Sequence, residues 1–120
     1  MPRSIKAYLS DIVECCEAVE NALKGVNLET YRGSRLIRSS VERELTIIGE
    51  AVNCLVRLNP KLAESITHAR LIVGFRNRLT HEYVAIDDET VLRIAEHDTP
   101  ILKSECTALL DSISQVDEAD

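Results

Sequence analysis

Apolar residues Ile5, Tyr8, Leu9, Ile12, Cys15, Cys16, Val19, Leu23 and Val26 recur at steps of three and four, which places them on one stripe of a helix with 3.6 residues per turn. The pattern predicts a first helix over residues 4–24, closed by Gly25, the residue type that takes a left-handed turn most cheaply. A connection containing Tyr31 and Gly33 follows. Over residues 34–58 the pattern doubles, with Leu36, Val41, Leu45, Ile48, Val52 and Val56 on one face and Ile47, Ala51, Cys54 and Leu58 on another. A helix apolar on two faces is central in its fold or shared with a second subunit. Asn59-Pro60 stops it, and a short segment, 61–66, leads to a third helix over 69–81 whose apolar positions are Leu71, Ile72, Val73, Phe75 and Leu79. The last helix starts after Ile86, with Asp87 or Asp88 as its cap and Asp88 and Glu89 at the positive end of its dipole. Its stripe is Val91, Ile94, Ala95, Ile101, Leu102, Cys106, Leu109, Leu110 and Ile113. Pro100 lies inside it, and because proline lacks an N–H and crowds the preceding turn, a kink or break is expected at 97–99. There is no internal repeat, so residues 1–116 read as one domain and 117–120 as a frayed tail.

Composition narrows the class. Four Gly and three Pro in 120 residues leave little punctuation, and one Phe with no Trp makes the core aliphatic, so an all-α bundle fits best. No stretch approaches the roughly 18 apolar residues that span a bilayer. Asp11, Glu14 and Glu17 interrupt the apolar region that a signal peptide would need. A cytoplasmic location is expected, and there the four cysteines read as buried thiols, since Cys15, Cys16, Cys54 and Cys106 form no CxxC pair. The net charge of −6 argues against a nucleic-acid partner only until its distribution is considered. Beyond Lys103 the acids Glu105, Asp111, Asp117, Glu118 and Asp120 stand without a basic residue, so most of the excess belongs to the tail. Local basic patches remain at Arg32, Arg35, Arg38 and Arg43, and at Arg70, Arg76 and Arg78. Glu42, Glu44 and Glu50 are acidic enough to suggest a metal set, but no His accompanies them at ligand spacing. Pairing within the helix, with Arg43 or Arg57, is the expectation for them, and no metal or other cofactor is predicted.

Candidate chemistry lies in residues 76–83, RNRLTHEY. Arg76 and His81 are five positions apart, a rotation of about 500°, so on one helix they point within roughly 140° of each other. A local bend, or a second copy of the chain, is needed to bring both to one phosphate. A fixed cation beside a group that titrates near neutrality suits phosphodiester cleavage without a metal: one stabilises developing charge and the other moves protons. The residues alone also allow a plainer role, in which cations near a helix C-terminus complement its dipole and bond its last carbonyls. His68 and His97 have no partner pattern, and His97, between Glu96 and Asp98, is expected to face solvent.

The segment GFRNRLTHEYVAID, preceded by ERELTIIGEAVNCL and followed by DTPILK, resembles the HEPN superfamily and, within it, the HepT-like toxins, over nearly the whole chain. The motif that carries the resemblance is arginine, four residues, histidine, any residue, tyrosine, matched by Arg76, His81 and Tyr83, with Asn77 after the arginine as is usual there. The resemblance implies a dimeric, up-and-down four-helix bundle with its active site in a cleft between two copies of the motif. It further implies a metal-independent endoribonuclease, the toxin of a toxin–antitoxin module. His81 would move protons, Arg76 would stabilise the transition state, and cleavage would leave a 2′,3′-cyclic phosphate. The implied partner is a small nucleotidyltransferase-fold antitoxin that attaches AMP to the motif tyrosine, here Tyr83, setting charge and bulk across the cleft. Asn77 would support the pair or only bond backbone; Arg78 and Arg70 would grip RNA or only face water. The alternative within the same fold is a non-catalytic interaction module that binds nucleotide or a transferase.

Overall fold

Ser4, Asn27, Ser34 and Asn59 each turn a side-chain oxygen onto the backbone N–H three residues ahead, and each of them begins a helix. The computed structural model describes residues 3–81 and 86–119, with side chains through Ile113, and among these every regular element is an α-helix. Four are the helices read from the periodicity: α1 (Ile5–Ala22), α3 (Arg35–Leu58), α5 (Ala69–Leu79) and α6 (Asp88–Ala119). Two short ones, α2 (Leu28–Gly33) and α4 (Pro60–Ala63), occupy the connections. Gly25, at φ 68°, takes the left-handed turn after α1.

α3 is the hub. It packs along α1 on one side and α5 on the other, with α2, α4 and α6 also against it, while α6 lies along α1. Its two-faced pattern therefore has its cause within the chain: Val41, Leu45, Ile48, Ala51, Val52 and Leu55 are all buried. The ends of that pattern are not, since Leu36 is 81% exposed and Leu58 51%. The core is aliphatic as expected, built from Leu9, Ile12 and Val19 of α1, the middle of α3, and Val91, Leu92, Ala95 and Leu102 of α6. Cys16 and Cys106 are fully enclosed in it. Loss of water around them pushes both thiols up, Cys106 to about 12, which keeps them protonated and inert. α6, at about 1.5 Å per residue, accounts for most of the molecule's 52 Å length.

Three expectations need correction. The connection holding Tyr31 is a capped helical turn, and Tyr31 is fully buried, because Leu28 and Tyr31 fall on one side of α2 against α3 and α6. The third helix ends at Leu79, so His81 lies beyond it. Of the kink or break expected at 97–99, the break does not occur: α6 is continuous through Pro100. The side chains on either side of the proline, Ala95, Thr99 and Leu102, are buried on one face, and that packing holds the helix across a missing hydrogen bond. His97, as expected, is exposed, and its Nδ1 lies 2.9 Å from the Asp98 carboxylate. No helix among the described residues is long and apolar enough to cross a membrane.

α5 is the least covered of the long helices. Only Ala69 is buried, and Leu71 is 71% exposed. The loop before α5 is tied across the molecule, where the Glu105 carboxylate of α6 accepts hydrogen bonds from the backbone N–H of Thr67, at 3.2 and 3.3 Å, and from its hydroxyl.

Candidate active site at the end of helix α5

Arg76 sits where α5 crosses α3, and the crossing is close because α3 presents a glycine there. A Cβ built on Gly49 would stand 2.2 Å from the Arg76 Cβ and 2.6 Å from its Cγ, well inside van der Waals contact. Glycine inside a helix costs about 1 kcal/mol relative to alanine. Here that cost admits the Arg76 stem against the α3 backbone.

From this seat the Arg76 guanidinium reaches back to the next residue of α3. Its Nη2 donates to Glu50 Oε1 at 2.9 Å, and its Nη1 donates to Asn77 Oδ1 at 2.9 Å. The side chain is 28% exposed, and Nε is buried without a hydrogen-bond partner. The guanidinium has five donors. The two bonds fix the plane of the fork and leave donors over for a ligand.

The dipole-capping role is answered by the carbonyls themselves. The Arg76 carbonyl accepts from the Thr80 N–H at 3.1 Å, that of Asn77 from the Thr80 hydroxyl at 3.0 Å, and that of Arg78 from the His81 N–H at 3.3 Å. Thr80 and His81 thus close the helix end, and the Arg76 side chain points elsewhere. His81 is exposed, immediately past that last turn, and so is not bound by the helical rotation that separates positions 76 and 81 on an unbroken helix. Tyr83 lies outside the described residues.

Glu44 and Glu50 do not pair with Arg43 or Arg57 as expected. Glu50 goes to α5, and Glu44 lies beside the Cys15 thiol, which burial first and Glu44 second raise to about 12. Arg57 donates to Cys54 Sγ at 3.9 Å. The local pairing expected of these residues loses to tertiary contact because α1 and α5 offer closer partners. Among the described residues no three His, Cys, Asp or Glu side chains converge as a metal site would need. In the other basic group, Arg38 donates to the Arg32 carbonyl, and Arg32 lies 4.0 Å from Glu89.

Beside the Arg76 seat a groove of about 570 Å³ opens between α3, α5 and α6. Leu45, Ile48, Leu71, Ile72, Phe75 and Ile94 make its apolar wall, and His68, Arg70 and Arg78 stand at it as cationic or titratable groups with Asp98 opposite in charge. Arg70 and Arg78, both candidates from the sequence, are exposed and share this groove. Sequence reasoning missed Gly49 and the pairing of Glu50. The glycine had a signal, since an unneeded glycine in the middle of a long helix is costly.

The sequence profile described as Ribonuclease HepT-like matches residues 12–109. A protein of Methanocaldococcus jannaschii named as a candidate RNase is 31% identical over 97% of this chain and 95% of its own length. A second from the same organism, also named as a candidate RNase, is 33% identical over 86% of this chain and 94% of its own. A protein of Thermococcus cleftensis named as a probable ribonuclease HepT is 32% identical over 86% and 93%. No solved structure gives a significant match.

Proposed function

This chain belongs to the HepT-like ribonuclease family, and from that premise we propose that it is a metal-independent endoribonuclease acting as a homodimer through Arg76 and His81. The observation that carries the reading is the seat of Arg76: a guanidinium oriented by two 2.9 Å bonds, partly open to solvent, one short turn from the family motif's histidine.

The reaction is transfer followed by release. The ribose 2′-oxygen bonds to the adjacent phosphorus, the bond from phosphorus to the 5′-oxygen breaks, and a 2′,3′-cyclic phosphate and a free 5′-hydroxyl result. No water is consumed. His81 takes the proton of the 2′-hydroxyl, Arg76 stabilises the charge on the non-bridging oxygens, and a second imidazole gives the 5′-oxygen its proton. One chain offers a single motif histidine, so the second comes from a second copy.

The uncovered face of α5 supports that assembly. Leu71 and Phe75 lie on an apolar wall beside the motif, and burying that wall against its symmetry mate removes apolar surface from water while bringing two motifs together. Arg70 and Arg78 then border the cleft and contact RNA phosphates, and Asn77 supports Arg76. Control follows from chemistry at the same cleft. AMP attached to Tyr83 by a nucleotidyltransferase-fold antitoxin brings a phosphate to Arg76 and blocks the RNA path, which makes the chain the toxin of a two-component module.

Cleavage of 5′-labelled single-stranded RNA by the purified chain in EDTA tests the reading. Wild type is expected to cut and leave cyclic phosphate ends, and His81→Ala to lose at least about 100-fold in rate. Equal cutting by the two proteins would show that the activity is not that of this site. Absence of cutting by both would favour a binding module.

A further inference from the structure

We infer that Glu50 is a positioning residue for this site: its carboxylate, delivered from α3, fixes the orientation in which the Arg76 guanidinium meets the scissile phosphate. The inference rests on the catalytic reading of Arg76 and adds to it a residue outside the motif.

Three observations carry it. The Arg76 stem is pinned at Gly49, where a methyl group would overlap Cβ and Cγ, so the side chain leaves α5 along one path. At the end of that path Glu50 Oε1 receives Nη2, while Asn77 Oδ1 receives Nη1, so the two terminal nitrogens are held from opposite elements, one acceptor on α3 and one on α5 itself. The third is that stability does not account for the pair. Glu50 is 53% exposed, and an ion pair so open to water contributes little to folding because solvent screens it. Meanwhile the buried Nε goes without a hydrogen bond. A contact that adds little to the fold yet fixes the plane of a five-donor fork is a device for direction.

Direction matters for this chemistry. The guanidinium stabilises the transition state only if its remaining donors point at the non-bridging oxygens as charge builds there, and a displacement of about 1 Å in such a group costs on the order of 100-fold in rate. Glu50 has the further effect of lowering the net positive charge at the site, so its retention weakens ground-state attraction for RNA. The carboxylate therefore opposes binding while favouring the chemical step, and the two effects separate in kinetics.

The experiment compares Glu50→Ala and Glu50→Gln with wild type in single-turnover cleavage of a mixed-sequence single-stranded RNA oligonucleotide, with Arg76→Lys as reference and thermal unfolding of each protein. Glu50→Gln keeps an oxygen acceptor for Nη2 without the charge. The expected result is a loss of about 10- to 100-fold in the saturating rate for Glu50→Ala, with RNA half-saturation unchanged or lower and the unfolding midpoint within about 2 °C of wild type. Glu50→Gln is expected to return most of the rate. In nitrogen-15 spectra of the side chain, the Arg76 Nη protons should be resolved in wild type and Glu50→Gln and averaged by rotation in Glu50→Ala. Equal losses in Glu50→Gln and Glu50→Ala would mean the charge acts and not the orientation, overturning the inference. So would a full rate in Glu50→Ala, or an unfolding midpoint that falls in step with the rate. Failure of the underlying reading looks different, because Arg76→Lys would then cut RNA as wild type does.

Discussion

α1 and α5 flank the same central helix, and both were legible as amphipathic stripes, but they end in different states. α1 completes its burial within the chain: Leu9, Ile12, Cys15, Cys16 and Val19 are enclosed between α3 and α6. α5 packs chiefly on α3, buries only Ala69, and leaves Leu71 and Phe75 at an open groove. An apolar stripe states that a face will be covered but not by what. On α1 the cover is the same chain, and the helix has no chemistry on it. On α5 this chain leaves the face open, in keeping with the proposed dimer, and the helix carries Arg76.

The largest test of this contrast is a matched deletion. Leu9→Ala is expected to lower the free energy of unfolding by about 2–5 kcal/mol, through lost transfer energy and a cavity, whereas Leu71→Ala should change it by less than about 0.5 kcal/mol in dilute monomer. Urea unfolding of both at low concentration measures the difference, and similar losses would break the distinction between the two faces. Gly49→Ala comes next. Helix propensity favours it by about 1 kcal/mol, but a Cβ 2.2 Å from the Arg76 Cβ has no flexible neighbour to displace, so α5 must move. Overpacking of this kind costs about 1–3 kcal/mol. The expected outcome is a modest net destabilisation with a disproportionate loss of RNA cleavage. A more stable, fully active Gly49→Ala would show that the close crossing is not needed.

Leu71→Glu addresses what covers the groove. It should leave the unfolding transition of the monomer nearly unchanged while shifting sedimentation from dimer to monomer and removing cleavage. A dimer that survives this change lies on another face. The smallest effect belongs to the other end of α3, where Glu42 stands near Tyr31 of α2 and Asp88 of α6. Burial, and then Asp88, raise its carboxyl above the ordinary range, with Arg38 opposing. A raised acid contributes its stability below its unfolded pKa and loses it as pH rises through the folded value. Glu42→Gln should therefore raise the unfolding midpoint at neutral pH, with the gain fading toward acid where wild-type Glu42 is also neutral. A gain that persists at acid pH would point to packing instead of charge.

Periodicity revealed the four long helices because each carries an apolar stripe of one chain-local pattern. α2 was illegible for a physical reason. Six residues give at most two apolar contacts, Leu28 and Tyr31, and only the meeting of α3 and α6 decides that Tyr31 goes inside. At the candidate site, Arg76 and His81 were singled out by their place in a motif that resembles the family's. The partner of Arg76 was not, because Glu50 is 26 positions away and its own helix offered Arg43 and Arg57 as nearer choices. Local pairing is a weak preference, worth tenths of a kcal/mol, and the α3–α5 crossing overrides it. Pro100 could have ended the helix, but the packing on both sides of it carries α6 through.

α5 is held at its two extremities by different means, the Glu105 carboxylate of α6 at Thr67 just before it and the close packing of the Arg76 stem on Gly49 in its last turn. A helix fastened at both ends cannot unravel progressively from a loose tip. Its amides are therefore expected to exchange with solvent deuterium together, as one cooperative opening of lower energy than that of α1. Whatever slows that opening, whether RNA, a second chain or a modified tyrosine, would then register on every amide of α5 at once.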